Sequence, residues 1–353
     1  MPFTEAQKTI YSDLLDQYVV RDVIHALLKQ FKDDHKEAIK LSGGKPELIQ
    51  NLLDAVDAGI INIFSVQALI KDAEEFGDQH VFSFTLINAS RRSFYNDGQR
   101  LKDIIVPLAY RNVFPRLFKM PTQLEWADFR SPNRGVNNSW MLKLYDVKYR
   151  YTKEGDDFDP LTNRRTIVYK RSPSRLIYIV EWDGNSILEI KVSRSLYDSN
   201  KSVSDAVGEI SRLIYAQGAG ILLHGDFSKT DFTDCVTSFV TRQPLNPGMY
   251  TIHSSTLMDP TGGVGYIRAA DDNIGSDVLA EDSSAGAIQS YIDNNSKGVT
   301  TYLKFLSNGS HDTLSSDINV HVGRDDINHI ILIASIKPQD YRYVRRKIEE
   351  FSI

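Results

Sequence analysis

RLIYIVEWDGNSILEIKVS, residues 175–193, is the stretch that indicates the fold class most directly. Its two halves, 175–182 and 186–193, alternate along the chain and are rich in β-branched and aromatic residues, which is typical of β-strands. Asp183-Gly184-Asn185 lies between the halves and supplies a turn of the kind that closes a β-hairpin. We therefore expect two successive antiparallel strands over these residues.

The strand pattern extends in both directions from this hairpin. Upstream, 140–152 and 164–171 have the same alternation, and 153–163 is expected to be a mobile loop between them. VFSFTLI (81–87) is a further predicted strand. Downstream, short apolar segments bounded by turn residues predict six more strands. They are 219–227, 250–258, 264–270, 299–307, 316–323 and 329–336.

The first 78 residues instead carry apolar side chains at helical spacing. We expect four short helices there: one over 20–31, a short one ending at Leu41, one opening at Pro46 and one capped by Ser65. Later helices are predicted over 98–119 with an interruption at Pro107, over 202–216 and 276–294, and from Pro338 onward.

These elements predict an α+β protein, with a helical bundle followed by a mainly antiparallel sheet with flanking helices and an α/β C-terminal region. The expected domain boundaries follow shifts in composition. They give a helical bundle at 1–78, a basic α+β domain at 79–230 and an acidic C-terminal region at 231–353.

Composition excludes several classes of protein. A chain of 353 residues with 41% hydrophobic and 25% charged residues is ordinary for a globular protein with a sizeable core. Cys235 is the only cysteine, which excludes an intramolecular disulfide and a cysteine zinc site and favours a reducing, intracellular compartment. No secretion signal and no run of 18 apolar residues is present, so we expect no membrane contact.

The net charge of −5 hides an uneven distribution. Residues 1–90 hold 8 Lys and Arg against 14 Asp and Glu, whereas 91–175 hold 18 against 9 and 176–353 hold 15 against 23. The middle block is therefore strongly basic, and aromatic residues are interleaved with its cations, a pattern that favours phosphate contact and base stacking. Alternatively, these cations pair with the acidic flanks. The candidate nucleic-acid-binding residues of this block are Arg91, Arg92, Arg111, Arg116, Arg130 and Arg134.

KLSGGKPELIQNLLDAV (40–56) resembles the second half of a SAP motif, in which two short helices joined by a Gly/Lys-containing turn rest on DNA. The resemblance implies a phosphate seat at a helix N-terminus beside Lys45, with Lys36 and Lys40 extending it. The overall order of elements is also loosely similar to that of centromere protein N, which implies association with DNA and protein. A helical bundle without nucleic-acid contact is the alternative.

One pattern resembles an enzyme. Asp183 followed by Glu189-Ile190-Lys191 is similar to the signature of the PD-(D/E)xK nucleases, which implies carboxylates that hold Mg²⁺ and a lysine near the attacking water. A two-residue turn would pair Val180 with Glu189 and would place Asp183 on the opposite face of the sheet. A bulge at Gly184 would reverse that placement. The alternative is an ordinary hairpin with one polar face.

The leading hypothesis is therefore a DNA-associated, non-enzymatic binding protein that belongs to a larger assembly or associates with itself. The first alternative is a Mg²⁺-dependent nuclease of a defence or repair system, which uses Asp183, Glu189 and Lys191. The second is a protein-binding subunit without nucleic-acid contact. Outside the nuclease alternative, no metal or cofactor is expected, because the histidines lack ligand spacing and no phosphate-binding loop motif occurs.

Overall fold

A computed structural model gives the fold of this chain. It describes residues 3–194, 202–217, 225–242, 248–269, 277–280, 282–307, 314–324, 326–333 and 337–352. The architecture is α+β, with N-terminal helices that precede a large antiparallel sheet, as the sequence predicts. Among the described helices, none has the length and apolar character needed to cross a membrane.

Four helices form the N-terminal bundle: α1 (Glu5–Tyr18), α2 (Arg21–Lys32), α3 (Lys45–Asp57) and α4 (Ile63–Phe76). Thr4 and Gln7 cap α1 reciprocally, and Pro46 lies in the first turn of α3. The bundle encloses its own apolar core. Three of the four predicted helices are confirmed, although α4 is capped by Asn62, whose side chain accepts from the amide of Phe64, and not by Ser65.

The predicted short helix ending at Leu41 is wrong, and its residues form turns between α2 and α3. Only Ile39 of this segment is buried, with its amide bonded to the carbonyl of His35. One apolar contact does not repay the cost of nucleating a further helix. The bundle still has four helices because it includes α1, which the sequence analysis does not predict.

The middle of the chain alternates short helices with the longest strands. Its helices are α5 (Arg92–Tyr95), α6 (Gly98–Ile105), α7 (Leu108–Arg111) and α8 (Val203–Gln217). Its strands are β1 (Gln79–Leu86), β2 (Glu125–Arg130), β3 (Trp140–Asp159), β4 (Arg164–Trp182), β5 (Ile187–Ser193) and β6 (Phe227–Lys229). Pro107 interrupts the helical segment as predicted, but no helix continues beyond Arg111.

The C-terminal third contains α9 (Thr233–Arg242), α10 (Asp282–Asp293) and α11 (Pro338–Phe351). Its strands are β7 (Tyr250–Met258), β8 (Val264–Arg268), β9 (Lys297–Phe305), β10 (Ile318–Val322) and β11 (His329–Leu332). β7 to β11, α10 and α11 confirm predicted strands and helices, whereas α9 is not predicted from the sequence. Of the predicted strand 219–227, residues 219–224 lie outside the described residues, 225–226 form a turn, and only Phe227 belongs to a strand, β6.

Within the described residues, eleven strands form one antiparallel sheet in the order β2-β3-β4-β5-β1-β11-β10-β9-β7-β8, with β6 paired to β1. The first strand in sequence lies in the centre, since β1 pairs with β5 on one side and with β11 and β6 on the other. The C-terminal third therefore completes the central sheet.

Side-chain alternation divides the sheet into two packed faces. Leu142 and Val180 belong to a core that includes Leu101 of α6 and Ile210 of α8. On the opposite face, a small cluster around Ile179 meets the helical bundle, and a separate core gathers α9, α10 and α11 over the C-terminal strands. The N-terminal bundle and α11 therefore cover the same face of the sheet.

The expected mobile loop at 153–163 is wrong. β3 and β4 pair continuously from Trp140 opposite Trp182 to Asp159 opposite Arg164, and only 160–163 form the turn. A bulge between Lys153 and Gly155 absorbs one extra residue, so the ladder survives the acidic run that follows. The predicted strands 164–171 and 175–182 are likewise one strand.

Candidate functional site

In the SAP-like turn, carboxylates lie beside Lys45 and at the N-terminus of α3. Lys45 reaches Asp16, with 3.7 Å between Nζ and Oδ1. The carboxylate of Glu47 lies over Gly44, at 2.9 Å from the position of a Cβ there, and so occupies the N-terminus of α3. Lys36 and Lys40 are exposed on the preceding turns. A carboxylate therefore lies at the end of α3 where the helix dipole favours negative charge.

Three predicted arginines of the α5–β2 region have partners within the protein. The Nε of Arg91 lies 3.1 Å from Asp226, and the NH1 of Arg116 lies 3.3 Å from Glu125. The Nε of Arg111 donates to the carbonyl of Val106 at 2.8 Å. Arg92 is exposed.

Arg130 and Arg134 meet at one buried carboxylate of α4. Their NH2 atoms lie 2.5 and 2.7 Å from the two oxygens of Glu75, and Arg134 also contacts Asp72 at 2.9 Å. Lys143, which is fully buried, adds a third cation at 2.8 Å from Glu75. Burial alone would raise the pKa of Glu75, but Lys143 and Arg130 outweigh it and lower that pKa from 4.5 to about 2.

The neighbouring Glu74 extends this ionic network into the sheet. Its carboxylate binds Lys143 at 3.1 Å, the hydroxyl of Tyr145 at 2.8 Å and the guanidinium of Arg175. The carbonyl of Leu117 accepts a further hydrogen bond from Arg175 at 2.6 Å. The basic face of β2–β4 is therefore largely an internal interface that receives the acidic end of α4.

The three side chains of the nuclease-like pattern do lie on one face of the sheet. The pairing expected from a two-residue turn is wrong, because Glu181 rather than Val180 lies opposite Glu189. The loop between β4 and β5 has four residues, 183–186. A hydrogen bond from the amide of Asp183 to the carbonyl of Ile187, at 3.1 Å, closes it. Since Asp183 and Glu181 are two residues apart, Asp183 is on the side of Glu189 and Lys191.

Each of these side chains already has structural partners. Oδ1 of Asp183 accepts three backbone N–H bonds, from Asn185, Ser186 and Ile187 at 2.7–3.0 Å. Lys191 is buried between Glu181 and Glu189. Burial would lower the pKa of Lys191, but these carboxylates raise it, so the ammonium stays charged.

Helix α11 closes the other side of this cluster, which we call the Glu189 cluster (Glu181, Glu189, Lys191, Tyr341 and Arg345). The hydroxyl of Tyr341 donates to Glu189 at 2.5 Å, and the Nε of Arg345 lies 2.6 Å from its other oxygen. A cavity of about 150 Å³ beside the cluster is lined by Asp183 and Glu349 among others. Among the described residues, no three His, Cys, Asp or Glu side chains are grouped so as to hold a metal ion.

The most exposed basic element is the far end of the β3–β4 hairpin, residues 148–171, which we call the arm. β2 and β5 flank the hairpin only as far as Tyr145 and Tyr178, so beyond these residues the two strands pair only with each other. The twelve residues of β3 in the arm, 148–159, give it a length of about 40 Å. Tyr151, Phe158 and Tyr169 are 64%, 55% and 54% exposed, and Leu161 at the tip is 95% exposed.

Cations and rings are interleaved along the arm. The guanidinium of Arg171 lies 3.4 Å from the ring centroid of Tyr149 on the paired strand. Lys153 and Arg165 both contact Asp156, and Lys170 lies 3.6 Å from Glu154. These contacts stay within the arm, so its charges remain at the protein surface. The sequence signal for the arm is the alternation in 148–152 and 164–171, which the intervening acidic residues obscure.

Neither family models nor curated proteins give a match to this chain.

Proposed function

We propose that this protein is a DNA-associated, non-enzymatic binding protein whose contact with the phosphate backbone is made by the arm. The observation that carries the proposal is the contrast between two sets of cations. Arg91, Arg130 and Arg134 are satisfied by carboxylates of the acidic flanks. In contrast, Lys153, Lys170 and Arg171 of the arm are exposed on a projection.

The charge balance of the whole chain supports the same element. The arm holds seven Lys and Arg against four Asp and Glu, a net charge of +3, which leaves −8 for the other residues. A polyanion is therefore repelled by the body of the protein and attracted by the arm. A projection of about 40 Å also keeps the bound strand well beyond one Debye length, about 8–10 Å, from much of that negative charge.

We also propose that the protein is located in an intracellular, reducing compartment. Cys235 is fully buried, and burial raises the pKa of its thiol to about 12, so the cysteine is chemically inert.

Salt-dependent binding tests the proposal. Wild-type protein and the double variant Lys170→Glu/Arg171→Glu are titrated into fluorescently labelled DNA of mixed sequence, and anisotropy is followed from 50 to 300 mM salt. We expect wild-type affinity to fall steeply with salt and the variant to bind at least about tenfold more weakly. Two lost phosphate contacts should reduce the log–log salt slope by about 1.4 to 1.8.

Arg342→Glu/Arg346→Glu is the matched control on α11. Arg342 and Arg346 are exposed, as Lys170 and Arg171 are. Arg346 also has similar local contacts, because it lies 3.6 Å from Glu350 and over the ring of Tyr343. The control should bind DNA like the wild type. Wild-type protein that binds no DNA at 50 mM salt, or an equal loss in both variants, contradicts the proposal.

A protein-binding subunit without nucleic-acid contact is the second candidate function. The observation that favours it is the pairing of Arg91, Arg130 and Arg134 with Asp226, Glu75 and Asp72, which removes these arginines from the surface. It would be supported if wild-type protein bound no DNA while replacement of the arm by a short turn released a subunit that copurifies with the protein.

A further inference from the structure

We infer that the arm recognises single-stranded nucleic acid, whose bases stack on the tyrosines of one of its faces. The inference rests on the proposed function, because it names the ligand class of the same element. The observation that carries it is the placement of the aromatic side chains along the arm, which is independent of the charge of the arm.

Strand alternation gathers the aromatic side chains of the arm on one face. Tyr149 and Tyr151 lie opposite Pro173 and Arg171, and Tyr169 lies opposite Lys153. Ring-bearing residues of β3 are therefore beside those of β4 on the same side of the ribbon. Beyond the bulge, Phe158 and Ile167 continue this side toward the tip. We call this side the aromatic face.

The spacing along the aromatic face suits unstacked bases. Residues two apart on a strand are separated by about 6.6–6.8 Å, whereas one stacked base occupies about 3.4 Å. A spacing of this size is wide enough for one flat group between neighbouring rings. The guanidinium of Arg171 already covers one face of the Tyr149 ring at 3.4 Å and offers a flat cationic surface. The more exposed rings of Tyr151 and Tyr169 are therefore the stacking surfaces for bases.

Cations on the same side are placed for the phosphates of such a strand. Lys153, Arg165 and Arg171 alternate with the rings, and the first two share the carboxylate of Asp156. Two cations on one carboxylate leave a net positive charge at this point of the face. A strand whose bases rest on the tyrosines then has its phosphates beside these three side chains.

Duplex DNA fits this face less well. The bases of a duplex are already stacked on each other, so exposed tyrosine rings find no free base surfaces there. Reading of the major groove depends on donors and acceptors such as arginine, asparagine and glutamine aimed at base edges. Beside its arginines, the aromatic face presents Tyr151, Phe158, Ile167 and Tyr169, whose exposed rings and apolar side chains suit stacking.

The test compares three labelled ligands at equal salt: a 20-nucleotide oligo(dT), a 20-nucleotide oligo(rU) and a 20-base-pair duplex. We expect wild-type protein to bind at least one single strand more tightly than the duplex. The ratio between oligo(dT) and oligo(rU) then identifies DNA or RNA as the source of the strand.

The double variant Tyr151→Ala/Tyr169→Ala should bind the preferred single strand at least about 30-fold more weakly, since each lost base stack is worth about fivefold or more in affinity. Tyr151→Phe/Tyr169→Phe keeps both rings and should stay within about twofold of the wild type. Tyr266→Ala on β8 removes a ring that is 65% exposed, close to the exposure of Tyr151, and should have no effect. Circular dichroism melts confirm that the variants are folded.

The possible failures are distinguishable. Tighter binding of the duplex, with the alanine variant unchanged, overturns base stacking and leaves the proposed function standing. Binding of no ligand at 50 mM salt overturns both. If the phenylalanine variant loses as much affinity for the single strand as the alanine variant, the inference is overturned as well. Sedimentation of the alanine variant is a further check. If its only change is weaker self-association, the inference is also overturned.

Discussion

Gly184 is the residue on which the turn between β4 and β5 depends. Its φ of +88° lies in the left-handed region that favours glycine. A Cβ at this position would be 2.7 Å from the carbonyl oxygen of Asn137 and 3.2 Å from the amide of Ser139. The turn is therefore packed against the loop that leads into β3, and both conformation and space require glycine.

Gly184→Ala should consequently destabilise the protein more than the same change at Gly262. Gly262 has a φ of +89° but nothing within 4 Å of its Cβ position, so Gly262→Ala measures the conformational cost alone, about 1–2 kcal/mol. We expect Gly184→Ala to cost about 1–3 kcal/mol more, because the surrounding backbone must move. Urea unfolding of the two variants measures the difference, and equal values would contradict the packing argument.

At the scale of elements, one carboxylate of the sheet adds polar contacts to the apolar packing of α11. Glu189 of β5 accepts the hydroxyl of Tyr341 and pairs with Arg345, while Lys191 lies beside it on the same strand. Burial would raise the pKa of Glu189, but Arg345 and Lys191 outweigh it and keep that pKa low. The polar face that resembles a nuclease signature thus binds a helix in this structure.

Glu189→Ala should therefore destabilise the protein by about 3–5 kcal/mol, because it removes the close carboxylate partner of the buried Arg345 guanidinium, whereas Lys191 keeps Glu181. Glu349→Ala is the control, since this carboxylate is exposed and 3.8 Å from Arg345. Its loss should cost less than about 1 kcal/mol. Denaturant unfolding compares the two. Mg²⁺-dependent cutting of plasmid by the wild type that Glu189→Ala abolishes without loss of stability would instead favour the nuclease alternative.

At the scale of the whole molecule, complementary charge joins the bundle to the sheet. Glu74 and Glu75 end α4 and enter a face that carries Lys143, Arg130 and Arg175. These buried ions are costly to desolvate, and they are tolerated because each has a close partner of opposite charge. The acidic N-terminal block and the basic middle block are thus two sides of one internal interface.

Acid should weaken this interface. The pKa of Glu75 is about 2 in the folded protein and 4.5 in the unfolded chain, so its stabilising contribution is complete above pH 4.5 and is lost as the pH falls toward 2. A difference of this size corresponds to about 3 kcal/mol. In urea unfolding, Glu75→Gln should be less stable than the wild type at pH 7, and the gap should narrow below pH 4.5. The exposed Glu350→Gln should show no such gap, and a gap for Glu75→Gln that stays constant down to pH 3 would contradict the assignment.

The sequence by itself determined the fold class and most elements. Period-two alternation in 140–152 and 186–193, and helical spacing in 202–216, are local signals that survive in the structure because burial of one face selects them. The left-handed glycine of the hairpin turn is equally local. These features depend on neighbours a few residues apart, which the order of amino acids displays directly.

Only the tertiary structure decided where the charges point. The sequence does not distinguish a strand lysine that faces solvent from one that faces a buried carboxylate. Lys170 is of the first kind, and Lys143, which faces Glu75, is of the second. The register of β5 against β4 placed Glu181 opposite Glu189, and the central position of β1 joined the C-terminal third to the sheet. Such pairings join residues that are far apart in the chain, and their choice depends on the competition among all possible contacts during folding.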